Sequence, residues 1–285
     1  MTPEIVDLFS GAAGGWSLGM HRAGYRTIAA CEIDPWRRAT YQRNNPEVRL
    51  YDDVRTVTAK QLVADLGRLP DAIVGSPPCQ DASAANSQGK GVEGDQTKLV
   101  FEAIRIVSEC RPRWCAFENS PFLRTRGYDR IADGLEEIGY ACWPFVVAAS
   151  DLGAPHGRKR VWIIASDVGQ TEPVGWPAPG GRQRWAQEAT ADDGVAAREQ
   201  VGRAGLSWAN DWDQWQGGIA RHLRVDDGLS PTTSRECISA YGDAILPQIS
   251  EAAGRAILAV EAARRFIADL TPRLPQVTSA ESENG

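Results

Sequence analysis

Three groups in this sequence could do chemistry, and each adjoins an apolar run, two following one and the third preceding one. The run Ala72-Ile73-Val74-Gly75 stops at Ser76-Pro77-Pro78 and presents Cys79, followed by Gln80. Proline fixes φ and cannot donate to a ladder, so the double proline ends a strand and aims the thiol out of the sheet's carboxyl edge. As a thiolate, Cys79 is a nucleophile. A lone cysteine at a strand end is more often an inert packing residue, so its surroundings must reverse that reading. A second run, Trp114-Cys115-Ala116-Phe117, ends on Glu118-Asn119-Ser120-Pro121. A carboxyl at an apolar strand's end can be held protonated and donate a proton at neutral pH, whereas alone it also suits a helix cap or the surface. A third group, Arg158-Lys159-Arg160, leads into Val161-Trp162-Ile163-Ile164-Ala165.

The elements that must position these groups alternate. Ile5 to Phe9 reads as a buried strand, Ser10-Gly11-Ala12-Ala13-Gly14-Gly15-Trp16 as a small-residue turn, and Leu18, Met20 and Ala23 as a helical pattern. Strand, glycine turn and helix open a nucleotide-binding βαβ unit, although the turn is not the strict G-x-G-x-x-G. The next strand, Thr27 to Cys31, ends at Glu32, about where such units place the carboxylate that holds ribose hydroxyls. Asp34-Pro35 caps and starts a helix to about Arg43. A strand from Val48 to Tyr51 delivers Asp52-Asp53, and a helix from about Ala59 to Leu66 leads into the Cys79 strand. Residues 81–97 carry little to bury and read as a binding loop or lid. Further helices are expected over Leu99–Val107 and Tyr128–Ile138, with a strand over Tyr140–Ala148. This alternation predicts an α/β fold, a mostly parallel sheet with helices on both faces. If the first and fourth strands are neighbours, the glycine turn and Cys79 flank the switch point where open sheets bind ligands.

At 285 residues and 42% hydrophobic content, the chain suits one full core and a modest second unit. No apolar run approaches membrane-spanning length and the N-terminus has no signal-peptide pattern, so a cytoplasmic protein with no membrane association is expected. Six cysteines without a CxxC pair or zinc spacing predict free thiols and no metal. A net charge of −6 argues against a protein that coats nucleic acid, but Arg111, Arg113, Arg124, Arg126, Arg130, Arg158, Lys159 and Arg160 cluster in one stretch and offer a candidate basic face. After Ser166 the composition changes. Residues 167–235 are rich in Gly, Pro, Gln and Asp, and Trp176, Trp185, Trp208, Trp212 and Trp215 read as a small core within an irregular module rather than as base-stacking platforms. Pro247 to about Asp269 is a long helix with Ile249, Ala253, Ile257, Val260, Ala263 and Ile267 on one stripe. The tail from Thr271 reads as disordered.

Taken in order, these motifs resemble the DNA (cytosine-5-)methyltransferases. Asp7-Leu8-Phe9-Ser10-Gly11 with Gly14-Gly15 is similar to that family's S-adenosylmethionine (SAM) loop, and Pro78-Cys79-Gln80 to its nucleophile motif. Glu118-Asn119 is similar to its E-N-V motif, with Ser120 for valine. Pro155-His156-Gly157-Arg158-Lys159-Arg160 resembles Q-x-R-x-R, with His156 for glutamine, and Gly242-Asp243-Ala244-Ile245-Leu246-Pro247 resembles G-N-A-V-x-P, with Asp243 for asparagine. The short 167–235 segment and Arg224-Val225-Asp226-Asp227-Gly228 are similar to solitary phage or prophage enzymes, which points to DNA protection.

The resemblance implies a Rossmann-like SAM-dependent methyltransferase fold over residues 1–166, a target-recognition domain over 167–235, and a C-terminal helix, 236–270, packed beside the first helix. It implies attack by Cys79 on cytosine C6, Glu118 at N3, Arg160 at O2 and Arg158 bracing the site. Phe9, Gly11, Ala12, Gly14, Trp16, Glu32, Ile33, Asp53, Pro78, Asp243 and Ala244 would hold SAM and its product S-adenosylhomocysteine (SAH). Gln80, Ser83 and Lys90 would touch double-stranded DNA whose target cytosine is flipped out, with the protein acting as a monomer. Asp243 either complements the positive end of the following helix or, as an anion, favours cationic SAM over neutral SAH. A nicotinamide-dependent dehydrogenase would use the glycine turn and Glu32 but has no role for Pro78-Cys79-Gln80. A non-catalytic DNA-binding relic would not need Cys79, Glu118 and Arg160 together. The doubled proline also suits the family's transfer-RNA branch, but no Cys-Phe-Thr element follows the catalytic loop.

Overall fold

In a computed structural model of the protein, residues 2–78, 98–123, 127–152, 157–169, 236, 239 and 243–270 are described. β1 (Glu4–Leu8) and β4 (Ala72–Gly75) are buried at every position, as central parallel strands covered on both faces must be. They pair with each other in parallel and sit mid-sheet with β2 (Arg26–Cys31), β3 (Arg49–Tyr51), β5 (Trp114–Asn119), β6 (Tyr140–Ala148) and β7 (Lys159–Asp167) in the order β3-β2-β1-β4-β5-β7-β6. The neighbouring first and fourth strands make the expected switch point. The alternation ends at β6. A short 3-10 turn, Ala149–Leu152, replaces a crossover helix there, so β7 returns antiparallel to both β6 and β5.

Neighbouring residues along each strand divide between two cores. Val6, Leu8, Ile73, Phe117 and Ile163 pack under α3 (Ala59–Leu66), α4 (Leu99–Cys110) and α5 (Tyr128–Glu137). Ile5, Val74, Trp114, Ala116, Trp162 and Ile164 pack under α1 (Gly15–Ala23) and α6 (Pro247–Leu270). Tyr41 of α2 (Pro35–Asn44) packs separately with Ala30 and Val48. As expected, Asp34 caps α2, its carboxylate accepting from Arg37 N at 2.8 Å. The four described cysteines, Cys31, Cys110, Cys115 and Cys142, are buried and form no disulfide.

α1 takes its cap from outside. Its N-cap Gly14 adopts φ 58° and has no side chain to accept the first-turn amides. Asp7, fully buried in β1, does so instead, with Oδ2 accepting from Ser17 N at 3.2 Å and Ser17 Oγ at 2.6 Å. The glycine turn is therefore anchored to the strand that delivers it.

The stripe on α6 departs from expectation. Ile249 and Ile257 are buried against Trp16 and Met20, but Ala263 faces solvent and two glutamates lie on the buried face. Glu261 accepts from Arg113 Nη1 at 2.7 Å and Trp114 Nε1 at 2.9 Å, and Glu251 accepts from Arg255 Nη2 at 2.8 Å. At its other end, Ser250 Oγ donates to Gly15 O at 2.8 Å, joining α6 to the first turn of α1.

The candidate basic face also divides. Arg111 pairs with Asp167 at 2.6 Å and Arg113 with Glu261, both at the amino end of β5, the edge opposite Glu118. Arg130 lies over the Phe101 ring. Arg158, Lys159 and Arg160 alone of the described members stand by the carboxyl edge, while Arg124 and Arg126 fall outside the described residues.

Candidate active site

The carboxyl ends of β1, β2, β4 and β5 open on one cavity of about 700 Å³, in the range of small-molecule and cofactor sites. Phe9, Gly11, Ala12, Trp16, Glu32, Ile33, Asp53, Pro78, Asp243 and Ala244 line it, and so do Glu118, Arg158 and Arg160. Residues assigned to two different tasks thus share a single site. Gly14 stands behind the wall at the start of α1, where a Cβ would come within 2.8 Å of the Tyr41 ring. Cys79, Gln80, Ser83, Lys90 and His156 lie outside the described residues, as does the 81–97 segment. Pro77 and Pro78, which lead to Cys79, form part of the wall.

At one end the turn exposes backbone. Phe9 and Gly11 both have left-handed φ, 58° and 63°, and a Cβ on Gly11 would point into open space. Glu32 holds the turn: one carboxylate oxygen accepts from Gly11 N and the other from Asp34 N, each at 2.9 Å. Asp53 is anchored by Arg55, whose hydrogen bonds hold its carboxyl below the usual range and keep it anionic. Ile33 presents an exposed apolar side chain between these acids. Ser10 Oγ is buried in the same wall with no partner among the described residues. An open glycine backbone, carboxylate acceptors, an apolar side chain and a spare hydroxyl fit an adenosine-containing cofactor such as SAM.

At the other end Glu118 is 5% exposed, and burial pushes its carboxyl up to about 7 against the pull of Arg160 and Arg158. Arg160 Nε stands 2.8 Å from Oε1, a charge contact rather than an aligned hydrogen bond. The register Asn119↔Val161 and Glu118↔Trp162 explains the meeting, since antiparallel β7 starts where β5 ends. A carboxyl balanced near neutrality between cations can hold or release a proton at physiological pH.

Three participants escape a reading of the sequence. Asn119 Nδ2 donates to Pro77 O at 3.2 Å, tying the acid's strand to the segment before Cys79. Ser76 Oγ accepts from Trp16 Nε1 at 3.2 Å. Arg37 Nη2 donates to Asp243 Oδ2 at 2.6 Å and Ser239 Oγ at 2.7 Å, bridging α2 to the segment before α6. Asp243 therefore spends its charge on Arg37, a partner that neither the helix-end nor the SAM-selective reading of it included. Ser76 and Asn119 were marked by their strand-end positions, and Asn119 also by the Glu118-Asn119 motif, whereas Arg37 gave no signal.

Residues 4–214 match the model of the C-5 cytosine-specific DNA methylases. The chain is 34% identical over 176 residues to the type II methyltransferase M1.HphI of Haemophilus parahaemolyticus, covering 59% of this chain and 47% of that one. It is 30% identical over 203 residues to the type II methyltransferase M.AquIA of a Picosynechococcus species, covering 64% and 81%. Against relatives such as M1.HphI and M2.BsuMI, the chain spans about half their length or less. A crystal structure described as a DNA modification methyltransferase encoded within an E. coli prophage superposes with a TM-score of 0.51 at 31% identity, covering 59% of this chain and 47% of that one. The Spodoptera frugiperda DNMT2 structure, at 23% identity and a TM-score of 0.50 over 62% of this chain and 53% of its own, shares the fold. With the family model spanning most of the chain and the glycine turn, the acid and the arginines converging on one cavity, this chain belongs to the C-5 cytosine-specific DNA methylases.

Proposed function

We propose that the protein methylates C5 of cytosine in double-stranded DNA, using SAM. The observation that carries this reading is the shared cavity, in which a cofactor-type wall and a buried acid with two guanidiniums face one space. SAM supplies an electrophilic methyl group on a cationic sulfur, held by the glycine turn, Glu32, Ile33 and Asp53. Cytosine C5 is a poor nucleophile, so Cys79 adds to C6 first and turns the ring into an enamine. Charge then builds on N3 and O2. Glu118 gives its proton to N3, Arg160 faces O2, and Arg158 holds the carboxyl in place. After transfer a base removes the C5 proton and elimination frees Cys79. A cytosine stacked in a duplex cannot reach this cavity, so the base must be flipped out, with residues 81–97 serving as the lid and Gln80, Ser83 and Lys90 contacting the DNA. The protein acts as a monomer.

Duplex DNA carrying 5-fluorocytosine in the target site tests the chemistry, since fluorine blocks the elimination. A denaturation-resistant complex is expected in the presence of SAM and should vanish in Cys79→Ala, which keeps SAM binding. Its absence from the parent protein would sink the covalent route. Bisulfite sequencing of plasmid from an expressing strain reads out substrate and site together.

A further inference from the structure

The Ser76 hydroxyl stands between the Trp16 wall of the cavity and Glu118. Trp16 lies at 2% exposure in the wall, its ring fixed edge-on against Trp162 with centroids 5.0 Å apart. An indole N–H can only donate, so in the 3.2 Å contact Ser76 Oγ must accept. The hydroxyl's own proton is then free for another acceptor. The register Gly75↔Phe117 carries on to set Ser76 beside Glu118 on the neighbouring strand, both residues line the same cavity, and the hydroxyl is among the groups that draw the Glu118 carboxyl towards its ionised form. Trp16 N–H donates to Ser76, which leaves the Ser76 proton to be offered to Glu118.

We infer that Ser76 is a positioning residue that orients the Glu118 carboxyl and sets its acidity from the Trp16 wall of the cofactor site. A hydrogen bond given to a carboxylate favours its ionised form, so Ser76 works with Arg158 and Arg160 against burial and keeps Glu118 from being locked neutral. The remaining charged residues of the cavity are Glu32, Asp34, Arg37, Asp53, Arg55 and Asp243. Because Trp16 donates to the same oxygen, the position of the indole biases where the hydroxyl proton points. Cofactor-side movements of the Trp16 ring would therefore be felt at the acid.

The inference rests on Glu118 being the acid, and the test separates the two. Carbon-13 glutamate labelling, with Glu118→Gln to assign the carboxyl signal, measures the Glu118 titration without catalysis. In Ser76→Ala the midpoint should rise by about one pH unit, the scale of one hydrogen bond to a charged group. The alkaline limb of the single-turnover rate should move up with it, the maximal rate should fall several-fold, and SAM affinity by calorimetry should stay within about twofold. Ser76→Thr should restore both, and Trp16→Phe, which keeps a ring but not the N–H, should shift the midpoint in the same direction by less. An unmoved midpoint in Ser76→Ala overturns the role of Ser76 even if Glu118→Gln is inactive. A moved midpoint with an unmoved rate profile would keep the contact but remove Glu118 as the acid. Should Ser76→Ala fail to bind SAM, the Trp16→Phe titration decides alone.

Discussion

Two buried carboxyls give this protein a measurable pH signature. Burial pushes both Glu118 and Asp7 up to about 7, although Ser17 donates to Asp7 and the arginines face Glu118. A carboxyl with a raised folded pKa favours folding below its ordinary unfolded value and loses that contribution as pH climbs through the folded value. Thermal stability of the ligand-free protein should therefore decline between about pH 5 and pH 8, and Asp7→Asn should flatten part of that decline. A midpoint of unfolding that rises across this window would contradict both assignments. The same acidity bears on rate. Glu118→Gln should fold normally and lose at least about a hundredfold, the scale of a positioned acid. In the parent the single-turnover rate should fall as pH rises through about 7, where Glu118 gives up its proton. A Glu118→Gln variant within a few-fold of the parent would show that another group serves N3. Asp243 belongs to a weaker class. Its side chain is 64% exposed and paired with Arg37, so Asp243→Asn should alter the SAM to SAH affinity ratio by less than about fivefold, the reach of an exposed ion pair. Calorimetric titration of both ligands checks it, and a tenfold narrowing would restore the sulfonium reading. Glu118 could be found from sequence because an apolar strand announces its own end. The partner of Asp243 could not, because 206 residues separate it from Arg37.

Elements carry this architecture through their ends. Gly75 shows the constraint at the switch point: a Cβ there would overlap the Leu8 carbonyl, so β4 can lie against β1 just before Ser76 only with glycine. Gly19 does the same between helices, since a Cβ would overlap the Pro247 carbonyl and Ser250 Oγ. Gly19→Ala should consequently push α6 off α1, costing about 1–3 kcal/mol as other overpacked contacts do. Because Ile245 and Ala244 line the cavity just before α6, SAM affinity should fall with stability. Denaturant titration and calorimetry test the pair, and a stable variant that binds SAM like the parent would show that the helices re-pack freely. The strands and most helix bounds follow from apolar runs, caps and prolines, all local signals. The buried face of α6 was harder to read because periodicity counts only apolar side chains. Glu261 is buried there because Arg113 and Trp114 from β5 meet it, and nothing near residue 261 records that. The reversal at β7 was hidden for a related reason. Its apolar run is that of any central strand, and only the short Ala149–Leu152 turn decides direction.

At the scale of the whole molecule, the proposed function requires a chain with net charge −6 to select a site on DNA. Non-specific affinity grows with the number of phosphates neutralised, and an acidic chain gains little from it. The described arginines add to the difficulty: Arg111 and Arg113 are spent on Asp167 and Glu261 at the far edge, and Arg158 and Arg160 face the cavity. The described part of the candidate basic face is thus largely committed to contacts within the protein rather than to a duplex. We propose that sequence choice comes chiefly from 167–235, a long stretch whose composition differs from the rest, with five tryptophans among Gly, Pro, Gln and Asp. Replacing 167–235 with the corresponding region of a relative of different site preference, while keeping 1–166 and 236–285, should move the methylated site and leave the adduct chemistry with 5-fluorocytosine intact. Bisulfite sequencing reads the site and the trapped complex reads the chemistry, so the two outcomes are independent. A chimera that traps DNA yet methylates the parent's site would place recognition in the catalytic part. One that changes site and still traps DNA would assign sequence choice to 167–235 and the reaction to the sheet edge around Glu118.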